Sequence, residues 1–180
     1  MVIETEIIDF DGHELLIRNA TTADAEMLIE YLKIINSETR FLRLEPEEIK
    51  YTAEQECDFI QNCNSSKTNI MLLAFLDGEY IGNCSYAVNN VSRECHRATL
   101  GIALYHKYTG KGLGRVLIEK LCDIARENGI EQMELEVVAQ NIHAISLYKK
   151  LGFCVCGTFP SANKYKDGTY SDSYFMMKKL

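Results

Sequence analysis

Residues 108–115 read YTGKGLGR and stand between a strand-like and a helix-like stretch of the sequence. Glycines at positions 110, 112 and 114 let backbone N–H groups turn toward one point without obstruction by side chains. The N-terminus of the following helix adds roughly half a positive charge. Lys111 and Arg115 contribute cationic side chains, so this stretch predicts an anion site suited to phosphate.

Hydrophobic periodicity predicts the elements on either side of this stretch. Apolar residues alternate from Ala98 to Leu104, which indicates a strand. From Leu113 to Ala125 they recur at intervals of three and four, which indicates a helix that ends near Asn128-Gly129. Alternation returns from Met133 to Val137, and helical spacing returns from Ile142 to Leu151.

The rest of the chain predicts further strands and two helices. In chain order these are a strand at Glu14–Arg18, a helix capped by Thr21, a second helix from Pro46 that breaks before Thr52 and resumes through Cys63, a strand at Ile70–Leu76, a hairpin turn at Asp77-Gly78, a strand from Tyr80 to Val88, a turn at Asn89-Asn90, a strand from Phe153 to Phe159 and a last strand at Tyr170–Lys178. The order β-α-α-β-β-β-α-β-α-β-β predicts a mixed sheet with helices on both faces.

Composition excludes several classes of protein. A chain of 180 residues suits a single domain, here 1–180. Its longest apolar run, Ile70 to Leu76, is too short to span a membrane, and its acidic N-terminus does not resemble a secretory signal. The net charge of −7, without a basic run, argues against nucleic acid as a partner. We therefore expect a cytoplasmic protein that binds neither membrane nor nucleic acid.

The seven cysteines include no C-x-x-C pair. This spacing fits neither a disulfide framework nor a zinc site, so we expect buried thiols and no metal. The glycines do not follow the nucleotide-binding patterns either. The Walker pattern is absent, and in the dinucleotide pattern the last glycine position would be taken by Arg115 or Leu117. From these residues alone, a flexible turn with a helix cap remains an alternative.

Asn141 and Tyr148 form a second pair of interest on the predicted helix at 142–151. Seven residues are close to two helical turns, so the two side chains lie along one side, roughly 10 Å apart at 1.5 Å per residue. Alternatively, Asn141 is an ordinary helix N-cap and Tyr148 an aromatic that covers the core.

These two motifs together resemble the GNAT superfamily of N-acetyltransferases. Gly112 and Gly114 match the small positions of its acyl-CoA pyrophosphate motif, R/Q-x-x-G-x-G/A, whereas Thr109 stands where the family has Arg or Gln. The run from Asn141 to Phe153 matches its second motif, N-x-x-[AS]-x-x-x-[YF]-x-x-x-G-F. The resemblance extends from about Glu14 to Leu180.

The resemblance implies an α/β (α+β mixed) GNAT fold, with a mixed, mostly antiparallel central sheet of about six or seven strands and helices on both faces. It implies acetyl-CoA as acyl donor, an amine of a small molecule or peptide as acceptor, and direct transfer without a metal. Tyr148 would protonate the leaving thiolate, and backbone N–H groups before the glycines would polarise the thioester. The cofactor-binding residues implied are Ile102, Ala103, Leu104, Thr109, Gly110, Lys111, Gly112, Leu113, Gly114, Arg115, Asn141 and Tyr148.

Several points stay open at the level of sequence. Candidates for a general base are Glu94, His96, Glu134 and Glu136. By the resemblance, the acceptor would be held by residues 36–48 and 160–172, and the acidic excess of the former suits a polyamine, a basic peptide N-terminus or an aminoglycoside. Alternative functions are a non-catalytic acyl-CoA-binding regulatory module and a nucleotide-phosphate enzyme. The family also suggests a homodimer, with the strand at 170–178 as the place to look.

Overall fold

The computed structural model describes residues 1–89 and 91–180. Its strands are β1 (Glu6–Phe10), β2 (His13–Asn19), β3 (Ile70–Leu76), β4 (Glu79–Val88), β5 (Arg97–Leu104), β6 (Gln132–Val138), β7 (Cys154–Lys164) and β8 (Tyr170–Lys179). Its α-helices are α1 (Ala25–Glu38), α2 (Ala53–Ser65), α3 (Leu113–Glu127) and α4 (Ile142–Lys150). The turn predicted at Asn89-Asn90 lies partly outside the described residues.

The strands follow the order β1-β2-β3-β4-β5-β6-β8-β7 in one open sheet. Neighbours from β1 to β4 pair antiparallel, as do β6 with β8 and β7 with β8, while β5 and β6 are parallel. The predicted mixed, mostly antiparallel α/β fold is confirmed, with eight strands instead of six or seven. The additional strand is β1, whose sequence EIIDF lacks apolar alternation because it lies at the sheet edge.

The chain divides into two compact units. The first unit comprises Met1–Ala87 and Gly101–Gly114, and the second comprises Val88–Leu100 and Arg115–Leu180. The single domain expected over 1–180 stays a prediction. Within the described residues, no helix is both long and apolar enough to cross a membrane.

The first unit is organised around α1 and α2. A capping box joins Thr21 and Asp24 just before α1, as the sequence predicts, and Arg18 donates two hydrogen bonds of 2.7 and 2.8 Å to Asp24. The helix predicted from Pro46 forms only a single 3₁₀ turn at 46–48, whereas the predicted break before Thr52 and the continuation through Cys63 are confirmed. The second helix instead begins at Ala53, where Thr52 accepts a hydrogen bond from the Gln55 backbone N–H and supplies a stronger start signal than Pro46.

The core of this unit is partly aromatic. Tyr31 of α1 is almost fully buried and meets the rings of Tyr80 and Tyr105 edge-on, with each centroid distance 5.1 Å. Around these rings pack the aliphatic and small residues Ala20, Ala25, Leu28, Ile35, Ile60, Met71 and Leu73. The arrangement anchors α1 on β3 and β4 through large buried area.

The second unit contains α3, α4 and β6 to β8. The helix α3 buries Leu117, Leu121 and Ala125, which are among the positions that the periodicity predicts. Strand β7 carries a bulge between Val155 and Gly157.

The expectation of buried thiols holds for two cysteines and is wrong for three. Cys84 and Cys122 are buried, whereas Cys95, Cys154 and Cys156 are exposed. Cys154 and Cys156 lie on β7 at the edge of the sheet, and the bulge falls at Cys156. An apolar run on an edge strand therefore does not imply burial.

Gly82 marks a close contact between β4 and β5. Its φ is +145°, and an added Cβ would lie 2.3 Å from the carbonyl oxygen of Ala103 and 2.8 Å from Cα of Leu104. Gly78, in the β3–β4 hairpin, also has a positive φ of +80°, but nothing lies within 4 Å of its added Cβ. Only glycine fits at position 82 without displacing the backbone of β5.

We predict that Gly82→Ala lowers the free energy of unfolding by about 3 kcal/mol or prevents folding, because backbone overlap adds to φ strain. Gly78→Ala is the matched control and should cost about 1 kcal/mol, since only the φ strain applies. Urea denaturation followed by circular dichroism measures both. Equal losses for the two variants would contradict the close contact.

Candidate active site

The glycine loop, residues 109–114, joins a 3₁₀ turn at His106–Tyr108 to the start of α3. Gly110 and Gly112 adopt φ values of +76° and +91°, which side chains rarely tolerate. An added Cβ on Gly112 would lie 3.6 Å from the Phe10 ring, an ordinary van der Waals contact, so it is the positive φ that favours glycine here. The loop thus has the strand-to-helix position and the backbone conformation that the sequence predicts.

Thr109 turns its side chain back onto its own backbone. Its Oγ1 donates a 2.8 Å hydrogen bond to the carbonyl oxygen of His106, and its backbone N–H donates to the same oxygen at 3.1 Å. The hydroxyl proton is therefore used to end the 3₁₀ turn. At the position where the family has Arg or Gln, this chain has a side chain that caps the loop from within.

The cations near the loop differ in whether they are paired. Lys107 forms an ion pair with Glu79, which also accepts a 2.6 Å hydrogen bond from the Tyr108 hydroxyl. The bonds from Lys107 and then Tyr108 lower the pKa of Glu79. Lys111 has its Nζ 5.5 Å from the centroid of the Tyr108 ring and, among the residues described, no ion pair.

Arg115 follows the loop on α3 and belongs to the second unit. Its Nε donates a 3.0 Å hydrogen bond to Glu119 one turn along the helix, and its side chain is largely exposed. Pairing with Glu119 offsets part of its charge. Lys111 is therefore the cation of the loop that is available to an anion.

Strand β5 leads to the loop and changes surroundings along its length. In the second unit it pairs with β6 from Arg97↔Gln132 to Thr99↔Glu134. In the first unit Ala103 accepts a 2.7 Å hydrogen bond from the Tyr31 hydroxyl, and Tyr105 donates a 3.0 Å backbone hydrogen bond to Ile81 of β4. The end of β5 is thus fixed by β4 and α1.

These contacts orient the peptide groups at 102–104. The Ala103 carbonyl points toward Gly82 of β4 and toward Tyr31. Since C=O and N–H of a trans peptide point in opposite directions, the Leu104 N–H is directed away from β4. Alternation along a strand gives Ile102 the same direction and places the Ala103 N–H on the β4 side. Of the three predicted amides, Ile102 and Leu104 are therefore the ones directed away from β4.

A cavity of about 200 Å³ lies in the first unit beside the end of β5. Its walls come from α1, from the segment after α1, and from one residue each of β4 and β5: Tyr31, Leu32, Ile35, Asn36, Leu42, Arg43, Leu44, Asn83 and Ala103. Segment 36–48 thus contributes Asn36 and residues 42–44 to a cavity, and no glutamate is among the lining residues. That this cavity holds the acceptor stays a prediction.

Two glutamates of segment 36–48 accept hydrogen bonds from backbone N–H groups. Glu38 accepts a 2.8 Å hydrogen bond from the His106 N–H, and Glu48 accepts one of 2.8 Å from the Glu45 N–H. The acidic excess noted in the sequence therefore does not reach this cavity. Sequence reasoning also missed Tyr31 and Asn83 as lining residues, since nothing in the local pattern separates them from core and strand positions.

A larger cavity, about 480 Å³, borders the glycine loop at Tyr108, Lys111 and Leu113. Its other walls are Phe10, Asp11, His13, Leu76, Asp77 and Glu79. Asp77 is held by His13, whose Nδ1 lies 2.6 Å from its Oδ2. Two of the three carboxylates of this cavity are already bound, Asp77 by His13 and Glu79 by Lys107, so Lys111 remains available to an anion on this side of the loop.

In the second unit, Asn141 and Tyr148 occupy α4 as predicted. Asn141 caps the helix, its Oδ1 accepting a 3.2 Å hydrogen bond from the Ala144 N–H. Tyr148 is 8% exposed and packs against Phe153 at a centroid distance of 5.8 Å. Burial raises the pKa of Tyr148 to about 12. Within the part of the chain that the structure describes, its hydroxyl has no hydrogen-bond partner.

Two of the four candidate bases are occupied. Arg97 lies 3.1 Å from both Glu94 and Glu134, and Gln132 also donates a 2.6 Å hydrogen bond to Glu134. Hydrogen bonding from Asn89, followed by the charge of Arg97, lowers the pKa of Glu94. The lowered pKa weakens Glu94 as a proton acceptor. The oxygens of Glu134 are occupied by the hydrogen bonds from Arg97 and Gln132. His96 and Glu136 are exposed.

Among residues 1–89 and 91–180, no group of three or more His, Cys, Asp or Glu side chains is arranged to hold a metal. The expectation of a metal-independent site stays a prediction.

Comparison with known proteins identifies the family. The model of the acetyltransferase (GNAT) family matches residues 30–153. The match covers more than half of the chain, and the chain therefore belongs to the GNAT acetyltransferase family.

Two curated relatives, both from Escherichia coli (strain K12), are named for different acceptors. An L-amino acid N-acetyltransferase is 31% identical over 111 residues, which cover 59% of this chain and 66% of that protein. A ribosomal protein bS18 alanine N-acetyltransferase is 47% identical over 57 residues, 31% of this chain and 38% of that protein. The chain thus aligns with less than two thirds of the length of these relatives.

Solved structures match over most of the chain. A GNAT-family acetyltransferase from Streptococcus pneumoniae has a TM-score of 0.88 and 33% identity, covering 93% of this chain and all of that one. A Salmonella typhimurium structure solved with its cofactor acetyl-CoA has a TM-score of 0.79 at 23% identity and covers 92% of this chain and 94% of that one. The second likeness supports the fold alone.

We predict that Lys111→Ala weakens binding of acetyl-CoA about fivefold, because an exposed charge contact contributes up to about 1 kcal/mol. Lys107→Ala is the control: this lysine is already paired with Glu79, so the dissociation constant should change less than twofold. Isothermal titration at low ionic strength measures both. A larger effect at Lys107 than at Lys111 would contradict the assignment.

Proposed function

We propose that this protein transfers the acetyl group of acetyl-CoA to a primary amine of a small molecule or peptide. The observation that carries the proposal is the glycine loop, with positive φ at Gly110 and Gly112 and an unpaired Lys111 beside it. Backbone N–H groups at the start of α3 lack partners within the helix and would bind the pyrophosphate of the cofactor. Membership of the GNAT family supports the same cofactor.

The end of β5 would activate the thioester. As the amine nitrogen attacks the carbonyl carbon, negative charge develops on the carbonyl oxygen. The N–H groups of Ile102 and Leu104, directed away from β4, are suited to donate hydrogen bonds to this oxygen. Preorganised donors of this kind contribute about 3 to 4 kcal/mol to transition-state stabilisation. The hydrogen bond from Tyr31 to Ala103 would keep these peptide groups in place.

Tyr148 would supply a proton to the leaving group. When the tetrahedral intermediate collapses, the C–S bond breaks and the CoA sulfur takes the electron pair. With its pKa raised to about 12, the Tyr148 hydroxyl remains protonated at neutral pH. A thiolate whose conjugate acid has a pKa near 8.5 is a weaker base than the Tyr148 phenolate, so the phenol would stabilise the leaving sulfur mainly as a hydrogen-bond donor. A proton that it passes to the sulfur would be replaced by one released from the attacking nitrogen.

The acceptor amine must lose its protons to form the amide. None of the side chains lining the 200 Å³ cavity is a carboxylate or imidazole. Among the four candidate bases, Glu94 and Glu134 are engaged by Arg97. We therefore propose that water takes the first proton from the ammonium group before the attack. The second proton leaves the nitrogen as the intermediate collapses and replaces the one that Tyr148 gives to the sulfur.

Thermal unfolding with and without acetyl-CoA tests the cofactor. At about 100 times its dissociation constant, a ligand adds about 2.7 kcal/mol to stability, which for a chain of this size corresponds to a shift of several degrees. We expect this shift with acetyl-CoA and none with ATP or NAD. A shift with ATP alone would favour a nucleotide enzyme. A shift with acetyl-CoA without thiol release in a broad screen of amines would favour a non-catalytic acyl-CoA-binding module.

Tyr148→Phe should lower kcat by about a hundredfold or more, the usual contribution of a general acid. Because the pKa of Tyr148 is about 12, the ratio of wild-type to variant kcat should be constant from pH 7 to about pH 10. Acetyl-CoA affinity should change little. Tyr51→Phe, at an exposed tyrosine before α2, is the control. A ratio that falls toward one as the pH approaches 10 would contradict this role.

A further inference from the structure

Arg43 is the one charged residue among those that line the 200 Å³ cavity. Arg43 lies between Leu42 and Leu44, which also line it, in the segment that follows α1. Among the residues that the structure describes, Arg43 has no ion pair and no hydrogen bond. Arg43 is exposed, as most arginines are, so its charge stays available to a ligand.

The other polar groups of the cavity are neutral, and each uses a donor within the protein. The Tyr31 hydroxyl donates to Ala103, the Asn36 amide donates to Leu32 at 2.7 Å, and the Asn83 amide donates to the Tyr80 hydroxyl at 3.0 Å. Arg43 therefore offers the charged donors of this cavity. A guanidinium presents its N–H groups as a planar fork, whose best partner is a carboxylate.

The remaining walls define what else the ligand carries. Leu32, Ile35, Leu42 and Leu44 give an aliphatic lining, and a volume of about 200 Å³ suits a medium-sized apolar side chain. A polyamine would meet the positive charge of Arg43 without a carboxylate among the lining residues. Ala103 of β5 lines the same cavity, which places the ligand beside the peptides proposed to activate the thioester.

We propose that Arg43 binds the carboxylate of the acceptor and that the acceptor is therefore a free amino acid with an aliphatic side chain. The inference rests on the proposed acetyl transfer and specifies its substrate class. Acetylation of a peptide N-terminus would present a neutral carbonyl in place of this carboxylate. Arg43 then acts as a specificity-determining residue that distinguishes free amino acids from peptides.

The test compares L-leucine, L-leucinamide and the dipeptide amide leucyl-alaninamide as acceptors for the full chain. Arg43→Gln should lower kcat/KM for L-leucine about 10- to 100-fold, the range expected for a hydrogen-bonded charge pair, mainly through a higher KM. For L-leucinamide, kcat/KM should change less than twofold. Arg43→Lys keeps the positive charge but loses the planar pair of N–H donors, so its kcat/KM for L-leucine should lie between those of wild type and Arg43→Gln.

Arg40→Gln is the matched control, since Arg40 is exposed on the same segment and does not line the cavity. Its kcat/KM values for L-leucine and L-leucinamide should equal those of wild type. This separates the effect of the local contact from the general loss of one positive charge. Melting temperatures of all variants report on folding.

Three results would overturn the inference. The first is an equal loss for L-leucine and L-leucinamide in Arg43→Gln. The second is acetylation of L-leucinamide or the dipeptide amide by wild type without acetylation of L-leucine; this would indicate a peptide acceptor and leave the proposed acetyl transfer standing. The third is acetylation of none of the three compounds, after which the thermal shift with acetyl-CoA decides separately whether the proposed cofactor holds.

Discussion

The close contact between Gly82 of β4 and Ala103 of β5 is the constraint on which the rest of the candidate site depends. A carbonyl that lies where a Cβ would otherwise be sets the separation of the two strands. The same carbonyl accepts the hydrogen bond of Tyr31, and through it α1 is fixed against the end of β5. A hydrogen bond of this kind contributes only about 1 kcal/mol in net terms, yet it determines the direction of the neighbouring peptide groups.

This geometry connects the chemistry of the backbone with the acceptor cavity. Because the carbonyl group of Ala103 points toward β4, the backbone N–H groups of Ile102 and Leu104 point away from β4. Ala103 and Asn83 also form one wall of the cavity that Arg43 borders. A displacement of β4 relative to β5 would therefore alter the orientation of the amides and the shape of the cavity together.

Much of the fold could be predicted from the sequence, because hydrophobic periodicity is strong where an element is buried on one side. The strand at Ile70–Leu76 and the hairpin at Asp77-Gly78 were predicted at their observed positions. Prediction failed where periodicity is weak or the local signal misleads: β1 at the sheet edge carries no alternation, and Pro46 begins only a 3₁₀ turn. Exposed Cys154 and Cys156 show the same limit, since an edge strand can carry apolar residues without burying them.

Some parts of the candidate site could likewise be predicted from the sequence, and others could not. The glycine loop, Asn141 and Tyr148 could be placed from the sequence, because each depends on residues close together in the chain. The cavity could not be predicted, because its walls come from α1, the following segment, β4 and β5, and these elements come together only in the tertiary structure. Arg43 was visible in the sequence only as one charge in an acidic segment. Its unpaired state depends on where the neighbouring glutamates find their partners.

The exposed cysteines have a consequence for how this protein behaves outside a reducing environment. Cys95, Cys154 and Cys156 each present a thiol to solvent, and two of them lie on the outermost strand of the sheet. Two molecules that meet along this strand under air could become linked by a disulfide. Such a covalent pair would have the mass of a native dimer. The oligomeric state should therefore be measured with the thiols kept reduced or replaced by serine.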